Sequence, residues 1–267
     1  MKTKDQEQYK RTALITGSAS GIGYELACIF ASKNYNLVLI DRNELKLLEI
    51  ASDFQIEYAV AVITLVKDLS ISTSPEEIFT ELKQAGVQVD VLVNNAGFGT
   101  YGLFNETSLK NELEMLQVNL VCLTHLTKLF LKDMVVGGKG KILNVASAAA
   151  FQPGPLMAVY FATKAYVLSF SEAIANELEG TGVTVTVLCP GSTVSAFHER
   201  TGMADSKLVK GQKMMDAETV ALIGYDALML GKTIVIPGLL NKILAKSVRF
   251  FPRKLVTRIV RTMQEHK

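Results

Sequence analysis

From residue 11 to residue 237 the chain alternates between short apolar runs and longer amphipathic stretches. The runs at 11–16, 36–41, 58–66, 89–94, 141–146, 182–189 and 233–237 are dominated by Val, Ile, Leu and Ala, and most stop at a Gly, a Pro or a polar side chain. Such runs predict strands, most of them buried on both faces. Between them, apolar residues fall at helical spacing after Gly21 (Ile22, Leu26, Ile29, Phe30) and over 44–53, 75–86, 106–135, 160–177 and 217–230. No repeat, low-complexity tract or linker interrupts the alternation, which predicts parallel βαβ units and one sheet covered on both faces. Residues 106–135 read as a single long helix, and Asn119 breaks its apolar face with an amide that needs partners. Residues 239–263 resume the helical spacing, and Pro252 splits them into two helices.

The polar residues that break this pattern gather where strands end. The first strand runs into Gly17-Ser18-Ala19-Ser20-Gly21-Ile22-Gly23. Glycines let the backbone approach a pyrophosphate, and free N–H groups at a helix start favour an anion. A tight ligand-free turn has the same composition. Asp41 closes the second strand, placed to accept from both adenosine ribose hydroxyls and to repel a 2′-phosphate, whereas Arg42 beside it suits that phosphate. Asp41 thus favours NAD and Arg42 keeps NADP open. Asp68, past the third strand, either contacts an adenine edge or caps a helix. Asn94-Asn95-Ala96-Gly97 ends the fourth strand with two amides and two small residues, which suit strand tying and close approach of a flat ligand. Ser147 follows the fifth strand, and Tyr160 and Lys164 share one helix face four residues apart. A tyrosine alone ionises near ~10, and a nearby ammonium lowers that value. A tyrosine so tuned can pass a proton to or from a substrate oxygen held by the serine. Pro190-Gly191 ends the sixth strand, and the hydroxyls of Thr193 and Ser195 beyond it suit a carboxamide. Residues 196–216 read as a mobile lid. Phe98, Tyr101, Phe104, Phe151, Leu156, Met157, Phe197 and Met203 give the pocket an apolar lining.

Composition narrows the partners. Of 267 residues, 49% are hydrophobic and 20% charged, enough for a large core and inconsistent with disorder. No run approaches the length of a membrane span, and the first ten residues lack the apolar centre of a signal peptide. Cys28, Cys122 and Cys189 follow no metal or redox spacing, so free thiols in a reducing compartment, the cytoplasm, are expected, with no metal. The net charge of +2 is uneven: residues 227–264 hold eight Lys or Arg and no acid. Residues 239–267 either pack on the substrate cleft or a partner subunit with their charges in solvent, or lie against an anionic membrane. No basic-aromatic motif points to nucleic acid.

Taken together and in order, Thr16-Gly17-Ser18-Ala19-Ser20-Gly21-Ile22-Gly23, Asn94-Asn95-Ala96-Gly97, Asn119, Ser147, Tyr160-x-x-x-Lys164 and Pro190-Gly191 resemble the short-chain dehydrogenase/reductase family of compact single-domain type. The resemblance implies a Rossmann-type doubly wound α/β sheet of seven parallel strands with helices on both faces. One domain would span 1–267, with its core at about 11–237 and a basic helical extension over 239–267. It further implies bound NAD or NADP, hydride transfer to or from a ketone or secondary alcohol, and a homodimer or homotetramer. By resemblance, Tyr160 is the acid in reduction and the base in oxidation. Lys164 lowers the tyrosine pKa and holds the nicotinamide ribose, Ser147 positions the substrate oxygen, and Asn119 supports a water-linked proton path. Gly17, Ser20, Gly21, Ile22 and Gly23 would surround the pyrophosphate, Asp68 the adenine and Asn95 the adenosine ribose. Ala96, Gly97, Pro190, Gly191, Thr193 and Ser195 would complete the cofactor site. Phe98-Gly99-Thr100-Tyr101-Gly102 and the long segment after Pro237 resemble the acyl- and steroid-ketone reductases of the family.

Two rival functions share these features. A non-catalytic dinucleotide-binding regulator or scaffold would use the same fold, but it has no need of Ser147, Tyr160 and Lys164 together. An epimerase or dehydratase would use the same Tyr and Lys, and the glycine spacing and short chain speak against it.

Overall fold

The computed structural model describes residues 10–194, Thr201 and 214–265. Seven parallel strands form one sheet in the order β3-β2-β1-β4-β5-β6-β7. They are β1 (Thr12–Thr16), β2 (Asn36–Asp41), β3 (Val62–Val66), β4 (Val91–Asn94), β5 (Gly140–Val145), β6 (Val183–Leu188) and β7 (Ile234–Val235). The helices that cover the sheet are α1 (Gly21–Ser32), α2 (Glu44–Tyr58), α3 (Ser74–Gln84), α4 (Leu109–Leu116), α5 (Leu123–Val136), α6 (Ala158–Glu177) and α7 (Ala217–Met229). Two more, α8 (Leu239–Ser247) and α9 (Arg253–Gln264), follow the last strand.

Successive strand residues point to opposite faces, and here both faces are buried. Ala13, Ile15, Leu37, Leu39, Val91 and Val93 meet Leu26 and Phe30 of α1, Leu47 and Phe54 of α2, and Val220 and Tyr225 of α7. Leu14, Val38, Ile40, Leu92 and Ile142 turn the other way, onto Ile78 and Leu82 of α3, Leu126 and Phe130 of α5, and Ile174 of α6. Continuous apolar runs rather than apolar–polar alternation are what a doubly covered parallel sheet requires. Each large apolar side chain so enclosed stabilises the fold by roughly 1.5–3 kcal/mol.

The chain winds outward from β1 to β3, then crosses back to β4, so the connections leave β1 and β4 in opposite directions. The carboxyl ends of those two strands therefore open a crevice, the usual binding place in such sheets. The glycine turn leaves β1 there and Asn95-Ala96-Gly97 leaves β4.

Three stretches differ from the pattern reading, while the split at Pro252 agrees with it. Helix α2 continues to Tyr58, so β3 starts only at Val62. Phe54 and Tyr58 stack edge-on at 5.5 Å and hold that last turn, and Ala59 ends it in the left-handed region at φ 51°. The stretch 106–135 is not one regular helix: α4 and α5 are joined by a π-helical turn over Gln117–Cys122. Strand β7 shortens to two residues. Pro252 stands just before α9, where its missing N–H leaves no bond unmade, and a short 3₁₀ turn over Val248–Phe250 precedes it.

Candidate active site

The turn after β1 is shaped by what surrounds it. Gly17 adopts φ +65° and its N–H donates to Ile40 O at 2.8 Å. A Cβ on Gly23 would overlap Gly17 O and Asn95 Nδ2, so only glycine fits. Asn95 Nδ2 donates to Thr16 O and Gly17 O, both at 3.0 Å, and Thr16 Oγ1 accepts the Asn95 and Ala96 N–H groups at 3.0 Å. The turn of β1 and the end of β4 are thereby locked together. Ser20 starts α1 in an extended conformation, exposed, with its hydroxyl capping nothing. Gly21 and half-buried Ile22 follow, and the first turn of α1 carries no acid. A backbone cradle with no Cβ in the way, a free hydroxyl and an unopposed helix start fit a dinucleotide pyrophosphate.

At the ribose end, Asp41 accepts Ala19 N–H at 3.2 Å on one oxygen and Asn43 N–H at 3.1 Å on the other. Arg42 beside it is exposed. Asp68 accepts Ser70 N–H at 2.9 Å, and its carbonyl accepts Ser74 Oγ at 2.7 Å, so it closes the turn before α3. The Ser70 N–H bond, with the Arg42 charge assisting, holds its carboxyl below the usual range.

Buried amides tie the sheet beneath the crevice. Asn94 Nδ2 donates to Asn144 Oδ1 at 2.9 Å and Thr127 Oγ1 at 3.0 Å, and Asn144 Nδ2 donates to Ser171 Oγ at 2.9 Å. The π turn brings Asn119 inward, and π turns recur where a helix must aim one side chain. Asn119 Nδ2 donates to Phe98 O at 2.9 Å and Thr163 Oγ1 at 3.2 Å, while Oδ1 accepts Phe98 N–H at 3.1 Å. A Cβ on Gly97 would lie 3.1 Å from Asn119 Oδ1 and 3.4 Å from Lys164 Nζ, so these three residues converge.

Ser147 stands at the end of β5, where its Oγ accepts Ala149 N–H at 3.1 Å and donates weakly to Pro190 O at 3.5 Å. Pro190 O also accepts Ala148 N–H at 2.7 Å, binding the β5 and β6 exits to each other. Tyr160 and Lys164 lie on one face of α6, both buried, with Lys164 Nζ 5.7 Å from the tyrosine ring centre. Lys164 Nζ donates to Val145 O at 2.9 Å. Burial pushes the Tyr160 hydroxyl up to about 12, against a hydrogen bond to Ser147 that favours ionisation. This is opposite to the direction an adjacent ammonium would impose. Burial of the hydroxyl itself outweighs the Ser147 bond, and the same burial drives Lys164 down to about 8.

The site has an apolar roof. Met115, Ala149, Met157 and Phe161 cluster with Tyr160, joined by Phe98, Tyr101, Val159 and, from α9, Val260. Tyr101 Oη donates to Gln264 O at 2.7 Å, fastening the end of α9. The Gln264 side chain is buried there, and neither amide atom has a partner among the described residues. The expected lining is thus partly right: Phe98, Tyr101 and Met157 are present, whereas Phe104 is 67% exposed and Phe151 packs in a separate cluster near Val167. Leu156 lies half-buried at φ 69°. Thr193 is buried and donates to Gly191 O at 3.1 Å. Ser195, Phe197, Met203 and most of the expected lid lie outside the described residues. Among the described residues no cluster suits a metal, and no helix is long and apolar enough to cross a membrane. Sequence reasoning missed Thr163, Asn241, Val260 and Gln264. Asn241, which donates to Pro237 O at 2.8 Å, would meet a Cβ on Gly191, but no local pattern announced that approach.

Comparison with known proteins agrees with the fold. The short chain dehydrogenase family model matches residues 11–205, and the chain belongs to that family. It is 34% identical over 219 residues to the very-long-chain 3-oxoacyl-CoA reductase of Pyrenophora tritici-repentis, covering 79% of this chain and 63% of the relative. The like-named protein of Phaeosphaeria nodorum is 33% identical over 178 residues, covering 65% of this chain and 52% of the relative. The chain therefore spans between half and two thirds of those curated relatives. A short-chain dehydrogenase from Sphingobium yanoikuyae in complex with NADPH superposes with a TM-score of 0.82 at 28% identity, over 92% of this chain and 95% of that one.

Proposed function

We propose that this protein is an oxidoreductase that reduces a ketone on an apolar, acyl-, steroid- or lipid-like substrate at the expense of NADPH. The observation that carries the reading is the meeting of half-buried Ser147 with buried Tyr160 and Lys164 beneath an apolar roof. When bound, the nicotinamide supplies the hydride to the carbonyl carbon. Ser147 donates to the carbonyl oxygen and fixes it. Tyr160, kept protonated at neutral pH by its burial, donates its proton to that oxygen as negative charge develops. Lys164, anchored on Val145 O, keeps further N–H donors for the nicotinamide ribose and supplies charge beside the phenolate that remains. Asn119, fixed by Phe98 and Thr163, supports the water path that returns a proton.

Gly17, Ser20, Gly21, Ile22 and Gly23 hold the pyrophosphate, and Asn95, Ala96, Gly97 and Asp68 line the adenosine side. Pro190, Gly191, Thr193 and Ser195 line the carboxamide. The preference for NADPH is supported by Asp41 and Arg42. Both Asp41 oxygens already serve the loop's own N–H groups, while Arg42 stays exposed beside the ribose end. The apolar substrate is supported by the roof and by the acyl-CoA reductases the chain resembles. A homodimer or homotetramer fits the exposed Leu109, Leu113 and Val121 on the α4–α5 rod, and a reducing cytoplasm fits three free cysteines.

The test is turnover of NADPH with 3-oxoacyl thioesters and steroid ketones, beside cofactor-induced melting shifts. Turnover with a shift larger for NADPH than for NADH is expected. A shift without turnover on any ketone would move the reading to a non-catalytic dinucleotide binder.

A further inference from the structure

The segment 239–264 carries an outer surface for which the proposed reduction has no use. On α8, Leu239, Leu240, Ile243 and Leu244 are exposed while Ala245 is buried, so the helix turns an apolar stripe away from the fold. Lys242 and Lys246 flank that stripe one turn apart, both exposed. At the tip between the two helices Phe250 is 85% exposed and Phe251 follows it at 54%. On α9 the inner face packs Val256 and Val260 inward, while Leu255 and Ile259 lie outside beside a second stripe formed by Lys254, Arg258 and Arg261. Aromatic and aliphatic side chains left in water over two consecutive helices are costly for a face that covers nothing.

The charge pattern selects what covers it. Residues 227–264 contain no acid, and Lys242, Lys246, Arg249, Arg253, Lys254 and Arg258 are all exposed. A second copy seated face to face would bring these cations against one another with no acid in the segment to pair with them. An anionic lipid surface suits both halves of the pattern, because apolar side chains enter the acyl boundary while Lys and Arg reach the phosphates. We infer that α8, the Phe250–Phe251 tip and the outer face of α9 form a docking surface for an anionic bilayer. Phe250, Phe251, Leu240, Ile243 and Leu244 enter the membrane, and Lys242, Lys246 and Arg249 lie at its headgroups. The inference does not rest on the reductase reading, since the inner face of α9 serves the roof and the outer face serves the lipid.

The test is co-sedimentation of the full chain with vesicles of phosphatidylcholine alone and with vesicles of phosphatidylcholine and phosphatidylglycerol in equal parts. Binding to the anionic vesicles only is expected, weakening as salt rises. Lys242→Gln with Lys246→Gln should lower partitioning by about twenty-five-fold, at about fivefold per cation. Phe250→Ser with Phe251→Ser should lower it independently. Both double variants should keep the wild-type melting temperature and NADPH shift, because the altered side chains are exposed. Absence of binding to the anionic vesicles, equal binding to neutral ones, or unchanged binding by both double variants overturns the proposal. So does a wild-type dimer that the Phe250→Ser, Phe251→Ser variant dissolves without any vesicle binding, which would assign the face to a second copy.

Discussion

Lys164→Met should yield a protein that is more stable at neutral pH and unable to turn over. The lysine is 5% exposed, and burial holds its pKa at about 8 against an ordinary 10.5. The unfolded chain therefore binds the proton more tightly than the folded one, and at pH 7 the mismatch costs folding about 3 kcal/mol. That cost is complete below the folded pKa and fades as pH rises from about 8 to 10.5, where the unfolded chain also gives up its proton. Methionine carries no such cost. The lost bond to Val145 O, 2.9 Å long, takes back about 1 kcal/mol, leaving the variant ahead by about 2 kcal/mol at pH 7. On a chain of this size that is roughly 4–8 °C in melting temperature. The advantage should shrink by about 2 kcal/mol between pH 7 and pH 10. Tyr160, raised to about 12, costs stability only as pH climbs above its ordinary value of 10.0, and equally in both proteins, so it cancels in the difference. Chemical denaturation of both proteins across that pH range, followed by circular dichroism, measures the gap. A gap that stays constant with pH, or a variant less stable at pH 7, would refute the claim that the fold holds Lys164 with a depressed pKa.

Gly23→Ala should abolish the melting shift caused by NADPH and cost about 1–3 kcal/mol, since its Cβ overlaps Gly17 O; a retained shift would contradict the tight turn. Arg42→Ala should weaken NADPH by about tenfold or more and leave NADH unchanged, as expected for a lost charge-assisted contact, and calorimetric titration reads both. Tyr101→Phe should remove the 2.7 Å bond to Gln264 O and destabilise by about 1 kcal/mol, seen in thermal melts. The same change should raise KM for bulky ketones more than kcat falls, because it loosens the roof without touching Tyr160.

The residues that carried the reading are those whose chemistry is local. Thr16 to Gly23, Asn94 to Gly97, and Tyr160 with Lys164 form their geometry from neighbours in sequence or from a single strand pairing, and their spacing showed it. The doubly buried strands were legible for the same reason. The π turn at Gln117–Cys122 was not, because one inserted residue leaves a period of four or five that an apolar pattern tolerates. Helix α2 was read short because the next apolar run begins at Tyr58, whereas the helix ends only where Ala59 adopts the left-handed region. The direction of the Tyr160 shift was hidden because sequence shows that an ammonium is near but not that both groups are sealed from water. The roof was hidden for a different reason: Tyr101 and Gln264 are separated by 163 positions, and only the folded chain joins them.

If Tyr160 donates the proton that completes reduction, its hydroxyl is needed for turnover far more than for holding the cofactor. Steady-state oxidation of NADPH with a ketone substrate by wild type and Tyr160→Phe, each paired with its NADPH melting shift, tests it most directly. In the variant an unchanged shift is expected, with turnover lower by about a hundredfold or more. Equal turnover in the two proteins would contradict it.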